Sequence, residues 1–378
     1  MKILLIGEYS RLHNSLKEGL LYLDNQVFIK GLNDGFKNYD VDFKFQKKWD
    51  HGIRRKIKIG IYKLTGFDIT SYLVHKQFFK NKLQFVGFDV VQLINENSFQ
   101  CQPYFEQKIL SFLFKNNKKI FLLSCGSDYL NVKYNFEHPE ESSIIIPYLS
   151  GKVDKKNFLN VLKFRKKSFE ELHNFIFKNI SGVIASDLDY FAPLKNNSKY
   201  LGLIPNPINT KKLKCETLAI SNKIVIFLGI NTESYYKKGC DYFEKALEII
   251  KTKYSEKVDI KISRSVPYTE YINLYNSCHI LLDQMHCLDQ GYNALEAMAK
   301  GKVVFTGAEN EFYEYYKLSQ RVCVNAMPNI DYLVSELSFL IENPNEIIEI
   351  GKRAKAFVEK EHDFVKVAKK YLEIWNRS

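Results

Sequence analysis

Several classes of protein are excluded by what this sequence of 378 residues lacks. Its eight histidines show no H-E-x-x-H spacing and its seven cysteines form no C-x-x-C pair, so neither kind of zinc site is predicted. The odd cysteine count favours a reducing compartment over a disulfide framework. There are only nine prolines, and 46% of the residues are apolar. That apolar content excludes disorder as the main state.

Long apolar runs are absent as well. Nowhere do 18 apolar residues follow one another, so no transmembrane helix is predicted. The first apolar run ends at Glu8, which is too short for the apolar region of a signal peptide. We therefore expect a cytoplasmic protein.

Positive charge is abundant, and it is one-sided. Residues 1–215 carry 34 lysines and arginines against 20 acidic residues, whereas residues 216–378 carry 21 against 23. Basic clusters occur at 54–56, 115–119 and 163–167. This asymmetry indicates either an anionic partner of the first half, such as membrane lipid, nucleic acid or a phosphorylated substrate, or a solvated lysine-rich surface.

Two series of short apolar runs alternate with helical patterns. The runs predict buried strands at 2–7, 88–94, 119–126 and 181–187, and again at 223–229, 258–263, 279–284 and 303–305. Helices are predicted between them, including one over 157–178 and one over 239–253. Strands that alternate with helices are typical of an α/β fold with a parallel sheet. Two prolines within 203–209 mark a linker, so we predict one domain over 1–205 and another over 206–361.

The stretch GYNALEAMAKGKVVFTG, residues 291–307, places one glutamate in a short and otherwise apolar helix. Gly291 precedes this helix, whose free amides and dipole favour a phosphate. Glu296 lies one turn further on, and its two acceptor oxygens suit two neighbouring hydroxyls, as on a ribose. The alternative is a surface glutamate with no ligand.

The run LEAMAKGKVV at 295–304 resembles the nucleotide-sugar signature of GT-B glycosyltransferases, especially the large retaining family four. The resemblance continues in order through KILLIG, FDVVQL, the GSD at 126–128, IPNPIN and the Lys238-Gly239 pair. It implies two Rossmann-like domains that face each other across a cleft, with the donor in the second and the acceptor in the first. It also implies that the last helix, 362–378, joins the first domain.

The resemblance assigns roles to residues of the second domain. It implies that Glu296 binds the nucleotide ribose and that Lys238 clamps the diphosphate, where a cation fits the charge that develops on the leaving group. It further implies that amides at the start of the helix meet the diphosphate and the sugar, at Gly291, Tyr292, Asn293 and Ala294. The donor is then a UDP- or GDP-linked sugar. We predict no cofactor and no metal.

Some positions depart from the family pattern. Leu288 stands where the family has its first glutamate, and Asp289 is the candidate substitute. Asn231 stands where an arginine is usual, and Arg264 is either the replacement cation or a structural surface residue. Gln92 replaces the usual histidine. These departures leave the donor sugar, the stereochemical outcome and activity itself open.

In the first domain, candidates lie where strands end. Arg11 and His13 follow the first strand and either contact an acceptor phosphate or the donor diphosphate, or are polar loop residues. Asn95 is a candidate acceptor contact and Glu96 a candidate base. Asp128 either points into the cleft or caps the next helix. The catalytic candidates are thus Asp128, Glu96 and His13.

We expect a glycosyltransferase at the inner face of the membrane. It would move a sugar from a nucleotide-sugar donor to a saccharide acceptor, lipid-linked and part of bacterial surface polysaccharide synthesis. The basic first half would contact anionic lipid. The alternatives are a nucleotide-sugar epimerase, a degenerate nucleotide-sugar-binding protein and a basic nucleic-acid-binding protein. No nucleic-acid-binding motif supports the last, so no specific nucleic acid is predicted.

Overall fold

The computed structural model of the chain describes residues 1–32, 36–37, 39–213, 220 and 222–378. Within these ranges twelve strands form two sheets, and every strand pair is parallel. Parallel sheets are covered by helices on both faces, which explains why their strands are almost continuously apolar.

The first sheet has its strands in the order β3-β2-β1-β4-β5-β6-β7. Its strands are β1 (Lys2–Ile6), β2 (Gln26–Gly31), β3 (Phe43–Lys44), β4 (Val90–Leu93), β5 (Lys119–Ser124), β6 (Gly182–Ala185) and β7 (Tyr200–Leu203). In register, Ile3 of β1 pairs with Val27 on one side and with Val90 on the other. The strand order reverses between β1 and β4, and ligands bind at such switch points beyond the carboxyl ends of the strands.

The second sheet has the order β12-β11-β10-β8-β9. Its strands are β8 (Ile224–Ile230), β9 (Val258–Arg264), β10 (Ile280–Leu282), β11 (Val303–Thr306) and β12 (Val324–Asn325). Its switch point lies between β8 and β10. The eight strands predicted from apolar runs all occur in these two sheets, which confirms the predicted α/β class.

Helices surround both sheets. Those that precede β8 are α1 (Leu12–Tyr22), α2 (Gly52–Thr65), α3 (Ile69–Lys80), α4 (Pro103–Asn116), α5 (Tyr129–Glu137), α6 (Ile146–Leu149), α7 (Leu159–Leu162), α8 (Lys167–Asn179) and α9 (Leu188–Leu194). Those that follow are α10 (Cys240–Lys253), α11 (Tyr268–Ser277), α12 (Tyr292–Ala299), α13 (Asn310–Tyr316), α14 (Ile330–Glu342), α15 (Pro344–Glu361) and α16 (Phe364–Arg377). Short 3₁₀ turns occur at Lys82–Phe85, Lys155–Phe158, Lys163–Arg165, Thr210–Lys212 and Thr232–Ser234.

The single helix predicted over 157–178 is wrong. The chain there forms two 3₁₀ turns around α7, and α8 begins only after Lys166, which has an extended backbone. This break lets both halves bury apolar residues, because Phe164 before it and Phe169 after it are each buried. A continuous helix would turn part of this apolar set toward water.

The last helix, α16, packs on α1 beside the first sheet. Gly19 of α1 makes this approach possible, since a Cβ there would lie 2.2 Å from the carbonyl oxygen of Phe364. Trp375 near the end of α16 is fully buried, and its indole N–H donates to Gln92 Oε1 on β4 over 3.3 Å. Gln92 therefore serves the docking of α16 in this structure.

The structure also describes the state of the cysteines and the apolar character of the helices. The six cysteines that the structure describes are all free, while Cys215 lies outside the described residues. Among the helices of the described ranges, none is both long enough and apolar enough to cross a bilayer.

Candidate functional site

Two adjoining cavities lie at the carboxyl ends of the strands. We call one the donor cavity, of about 350 Å³, and the other the interdomain cavity, of about 290 Å³. Ser10, in the loop after β1, lines both. Helix α12 begins between them, because Gly291 lines the interdomain cavity and Asn293 lines the donor cavity.

The donor cavity is built at the switch point of the second sheet. It is lined from the ends of β8 and β9, from α11 and α12, and from three residues of the first half of the chain. Its lining includes Gly229, Ile230, Asn231, Ser263, Ser265, Tyr271 and Lys238. The predicted Asn231 is thus in place, although its Oδ1 already accepts a 3.0 Å hydrogen bond from the amide of Glu233.

A hydrogen-bonded chain crosses the floor of this cavity. The ammonium of Lys238 donates to Asp283 Oδ1 over 3.0 Å, and Asn293 Nδ2 donates to the same oxygen over 2.9 Å. Tyr271 in turn donates its hydroxyl to Asn293 Oδ1. Burial disfavours the charged ammonium, but the attraction of Asp283 outweighs it and raises the pKa of Lys238. A permanent cation therefore stands beside the first turn of α12.

The backbone geometry explains why a glycine follows Lys238. Gly239 has a left-handed backbone with φ of 66°, and a Cβ there would lie 2.2 Å from the side chain of Met285. This conformation and contact are open to glycine alone without rearrangement. The turn ends the preceding loop and starts α10, so it sets where Lys238 points.

Glu296 has a partner that the sequence did not reveal. Its Oε2 accepts a 3.1 Å hydrogen bond from Lys37 Nζ, and the two side chains are 12% and 10% exposed. Lys37 belongs to the segment between β2 and β3, and it lines the donor cavity. The ion pair therefore links the first half of the chain to the helix that carries the predicted ribose ligand.

Phe36 reinforces that link. Its ring packs edge-on against Tyr268 at 5.6 Å and against Tyr271 at 5.9 Å, both on α11. Aromatic edge-to-face contacts of this kind stabilise by roughly 1 kcal/mol each. Phe36 and Lys37 together place one wall of the donor cavity.

The start of α12 combines a free helix end with an interdomain contact. Gly291 occupies the N-cap position and offers no side-chain cap to the first amides. Tyr292 is buried, and its hydroxyl accepts from Ser15 of α1 and donates to the carbonyl of Pro207, each over 2.5 Å. Ala294 is fully buried in the core and lines neither cavity. Tyr292 is thus a structural link whose side chain is already used.

The interdomain cavity is bounded by loops from both sheets. Its lining includes Tyr9, Gly126, Tyr134, Glu141, Asp187, Asp189, Asn206, His286 and Leu288. Two residues of its lining have left-handed backbones, namely Ser10 and His286, with φ of 51° and 63°. Such strain is concentrated at functional sites.

Two carboxylates in this lining were missed by the sequence analysis. Asp187 and Asp189 follow β6 with the spacing Asp-x-Asp, which is visible in the sequence. Burial raises the pKa of Asp189 to about 7. Burial and the charge of Asp189 also raise the pKa of Asp187 well above its usual range. Burial therefore favours the protonated form of both carboxyls, and Asp189 exchanges its proton near neutral pH.

These aspartates do not form a metal-ligand set in this structure. Asp187 Oδ1 caps α9 through the amide of Asp189, and Asp189 Oδ1 accepts from the amide of Leu288 over 2.8 Å. In the described part of the chain, one group of three has its ligand atoms close enough together to hold an ion: His138, Glu140 and Glu141. The absence of a resident metal stays a prediction.

Two donor-site candidates lie elsewhere. Arg264 points away from the donor cavity and pairs with Glu244 of α10, while its neighbours Ser263 and Ser265 line the cavity. Side chains alternate across a strand, so a residue between two inward ones faces out. Asp289 is 3% exposed and lines neither cavity. Burial raises its pKa to about 6. Neither residue is positioned to contact a donor.

The three acceptor candidates are also turned away. Arg11 donates to Glu18 Oε1 over 3.2 Å and lines neither cavity. His13 is fully buried, and its Nδ1 donates to the carbonyl of Gly7 over 2.7 Å. Asn95 is buried and donates to the carbonyl of Cys125 over 2.8 Å. All three serve the loops that form the cavity wall.

The catalytic candidates Asp128 and Glu96 form a buried cluster with His173. Asp128 caps α5 by accepting from the amide of Asn131 over 2.7 Å, so of its two predicted roles the cap is correct. Glu96 Oε1 lies 2.5 Å from His173 Nδ1, and this partner raises the pKa of the imidazole despite burial. Burial and the charge of Glu96 raise the pKa of Asp128 to about 7. Like His13, neither acid lines a cavity, so none of the three is retained as a catalytic candidate.

Part of this chain is similar in sequence to known proteins. Residues 238–373 match the model of a family described as glycosyl transferase-like. This range begins at Lys238 and contains Glu296. A transmembrane domain-containing protein of Dictyostelium discoideum is 23% identical over 254 residues, which cover 60% of this chain. The chain spans only 15% of the length of that relative.

Solved structures share the whole architecture. Sucrose-phosphate synthase from Thermosynechococcus elongatus superposes with a TM-score of 0.62 over 100% of this chain and 99% of its own. HepE of Anabaena, in complex with UDP-glucose, gives 0.58 over 100% of both chains. A UDP-GlcNAc 2-epimerase from Neisseria meningitidis, bound to UDP-GlcNAc, gives 0.55 over 100% of both. Each is 12% identical to this chain.

The fold is GT-B. At such low identity the likeness extends to the fold and no further, so two parallel-sheet units facing across a cleft are established while membership of retaining family four stays a prediction. The match to the glycosyl transferase-like model lies mostly in the second unit.

Proposed function

We propose that this protein is a glycosyltransferase that takes its sugar from a nucleotide-sugar donor. One observation carries the proposal: Lys238 and the first turn of α12 meet at one cavity at the switch point of the second sheet, and Glu296, one turn along α12, is bonded to Lys37 in the wall of that cavity. A cation and a free helix end suit a diphosphate. A glutamate one turn along the same helix suits the adjoining ribose.

The donor would lie across both cavities. The base would enter the donor cavity near Tyr271, with the ribose toward Glu296 and the diphosphate at Lys238. The sugar would then project past Ser10 into the interdomain cavity, where the acceptor would meet it. Lys238 and the amides of α12 would stabilise the charge that forms on the leaving diphosphate, without a metal ion.

The nucleotide we favour is UDP, with GDP as the alternative. The proteins of similar fold that were solved with a sugar nucleotide, HepE and the epimerase, hold UDP-glucose and UDP-GlcNAc. We propose further that the transfer retains the configuration of the sugar. The acceptor would be a lipid-linked saccharide, reached at the inner face of a membrane through the basic first half of the chain and serving a surface polysaccharide.

Thermal unfolding in the presence of UDP, GDP, CMP and ADP tests the proposal. A ligand at about 100 times its dissociation constant adds roughly 2.7 kcal/mol to the free energy of unfolding. We expect one diphosphate nucleotide to stabilise the wild type and to fail with Glu296→Ala. Glu359→Ala, at an exposed position of α15, is the matched control and should respond like wild type. A protein that no nucleotide stabilises would refute the proposal.

A second candidate function is epimerisation of a nucleotide sugar on the same fold. The observation in its favour is that Asp187 and Asp189 line the interdomain cavity with raised pKa values. Carboxyl groups that face a bound sugar could act as the acid and base that proton abstraction requires. Incubation with UDP-GlcNAc separates the two functions, because an epimerase leaves the altered sugar on UDP whereas a transferase releases UDP as it passes the sugar to an acceptor or to water.

A further inference from the structure

Helix α2 stands out because it contributes nothing to the core. None of its fourteen residues is buried, and three aliphatic side chains are largely open to solvent. Ile53, Ile57 and Leu64 are 74%, 47% and 87% exposed. At about 100° per residue their spacing places them within roughly 40° of one another on the helix surface. They form a continuous apolar stripe, which we call the α2 stripe.

Cations surround this stripe. Residues 52–67 contain five lysines and arginines and no acidic residue. On the same helical geometry Arg54 falls on one side of the stripe and Lys56 on the other. An apolar stripe between basic side chains is the pattern of a helix that lies in the interface of an anionic bilayer.

The orientation of α2 leaves the stripe facing outward. The opposite side of the helix faces the body of the protein, where Lys58, Ile59 and Tyr62 line a cavity of about 510 Å³. Lys58 also donates to Thr70 Oγ1 over 3.0 Å and pairs with Asp50. These contacts hold the inner side, so the stripe is presented away from the fold.

Aromatic side chains extend the surface past the end of α2. Phe67, 41% exposed, packs against Tyr72 at 5.9 Å and against Phe105 at 5.9 Å. Tyr104, which is 65% exposed, packs edge-on against Phe105. Rings that have an apolar body and a polar tip are enriched at membrane–water interfaces.

The α2 stripe also lies at the edge of the first sheet that faces the cleft. The cavity beneath α2 is lined by Asn97 and Gln100, from the loop at the carboxyl end of β4. The interdomain cavity is lined by loops at the carboxyl ends of β1, β5 and β6. Since parallel strands end at one common edge, a surface that meets α2 borders the cleft.

We propose that the α2 stripe and its flanking cations dock this protein on the surface of an anionic lipid bilayer. A second copy of the chain is disfavoured as the occupant, because the cations that flank the stripe would face their own copies. Nucleic acid is disfavoured because exposed aliphatic side chains gain nothing from phosphates. The inference deepens the proposed function by naming the surface that would bring the cleft to a lipid-linked acceptor.

Vesicle sedimentation with the full chain tests this assignment. Wild type should bind vesicles that contain phosphatidylglycerol and not vesicles of phosphatidylcholine alone. Neutralising the three cations that flank the stripe on this geometry, as Arg54→Gln, Lys56→Gln and Lys63→Gln, should weaken binding about 100-fold, since each cation near an anionic surface contributes roughly a factor of five. Replacing the α2 stripe by glutamine should weaken it at least roughly tenfold.

The control removes the same charge from the other unit. Lys245, Lys251 and Lys257 are exposed on or near α10, and their change to glutamine should leave vesicle binding within about threefold of wild type. Equal loss in the control and α2 variants would overturn the assignment, as would undiminished binding by either α2 variant. UDP stabilisation of the same proteins keeps the two proposals separate. An α2 variant that loses vesicle binding but is still stabilised by UDP supports the docking role of α2 with the donor site intact. Vesicle binding by a wild type that UDP does not stabilise would refute only the proposed function.

Discussion

Replacing Lys238 by methionine should destabilise the protein as well as remove its donor-site cation. The ammonium lies 3.0 Å from Asp283 Oδ1, and the side chain of Asp283 is only 2% exposed. Within the described ranges Asp283 Oδ2 has no hydrogen-bond partner. In Lys238→Met the buried carboxylate would keep a single side-chain amide donor, from Asn293.

The size of the loss follows from burial. Removing one partner of a buried ion pair costs about 3–5 kcal/mol, because the remaining charge is uncompensated. The side chain of Lys238 is 30% exposed, so water replaces part of the lost interaction. We therefore expect the free energy of unfolding to fall by about 2–3 kcal/mol in Lys238→Met. Urea denaturation followed by circular dichroism measures this quantity.

A double variant separates the two roles of Lys238. Adding Asp283→Asn removes the stranded charge, so Lys238→Met/Asp283→Asn should recover most of the lost stability while still failing to bind UDP. Asp283→Asn alone keeps the cation and should bind UDP at least as well as wild type. The reasoning is refuted if Lys238→Met is as stable as wild type, or if the double variant is no more stable than the single one. UDP binding by the double variant would show that Lys238 does not clamp the diphosphate.

Three further predictions concern other contacts. Lys37→Ala should bind UDP about tenfold more tightly in calorimetry, since Glu296 then loses the partner that competes with ribose; weaker binding would show that Lys37 itself contacts the nucleotide. Burial lowers the pKa of His13 to about 4, so the folded state binds fewer protons than the unfolded state between pH 6.5 and 4. The free energy of unfolding of the wild type therefore decreases as the pH falls from 6.5 to 4. His13→Gln has no such titrating group, so its decrease over this range should be smaller by roughly 3 kcal/mol in denaturation curves taken at each pH. Gly19→Ala should separate α1 from α16 and lower the unfolding temperature, whereas Gly60→Ala, where nothing lies within 4 Å, should raise it slightly. Equal effects at the two glycines would contradict the close approach of α16.

Some of the site could be inferred because its signal is local. One short stretch of sequence contains Gly291, the helix of residues 292–299, Gly301 and the strand that follows, so both ends of the helix can be predicted from it. Lys238 was predicted from the resemblance of the Lys238-Gly239 pair, and the left-handed backbone of Gly239 explains why a glycine follows it. Local sequence predicts such features because each depends on backbone preferences and on apolar periodicity over a few residues.

Candidates chosen only for their place after a strand were mostly misplaced. Arg264, Asp289 and His13 all follow or end predicted strands, yet each points away from the cavities. For Arg264 the reason is that a strand sends alternate side chains to opposite faces, so a shift of one residue decides between cavity and exterior. His13, in α1, and Asp289, in a loop, are instead buried. The Asp-x-Asp of Asp187 and Asp189 was readable, but its position at the cleft depends on how the two sheets face each other.

By itself the sequence determined the two series of buried strands, their parallel α/β arrangement and the helix that carries Glu296, because burial patterns and helix boundaries are encoded over short stretches. Only the tertiary structure decided which residues distant in sequence lie in contact. Lys37 reaches Glu296 across 259 positions of sequence, and Tyr292 reaches Ser15 across 277. Such pairs depend on the packing of one sheet against the other, and no local periodicity records which distant loops that packing brings together.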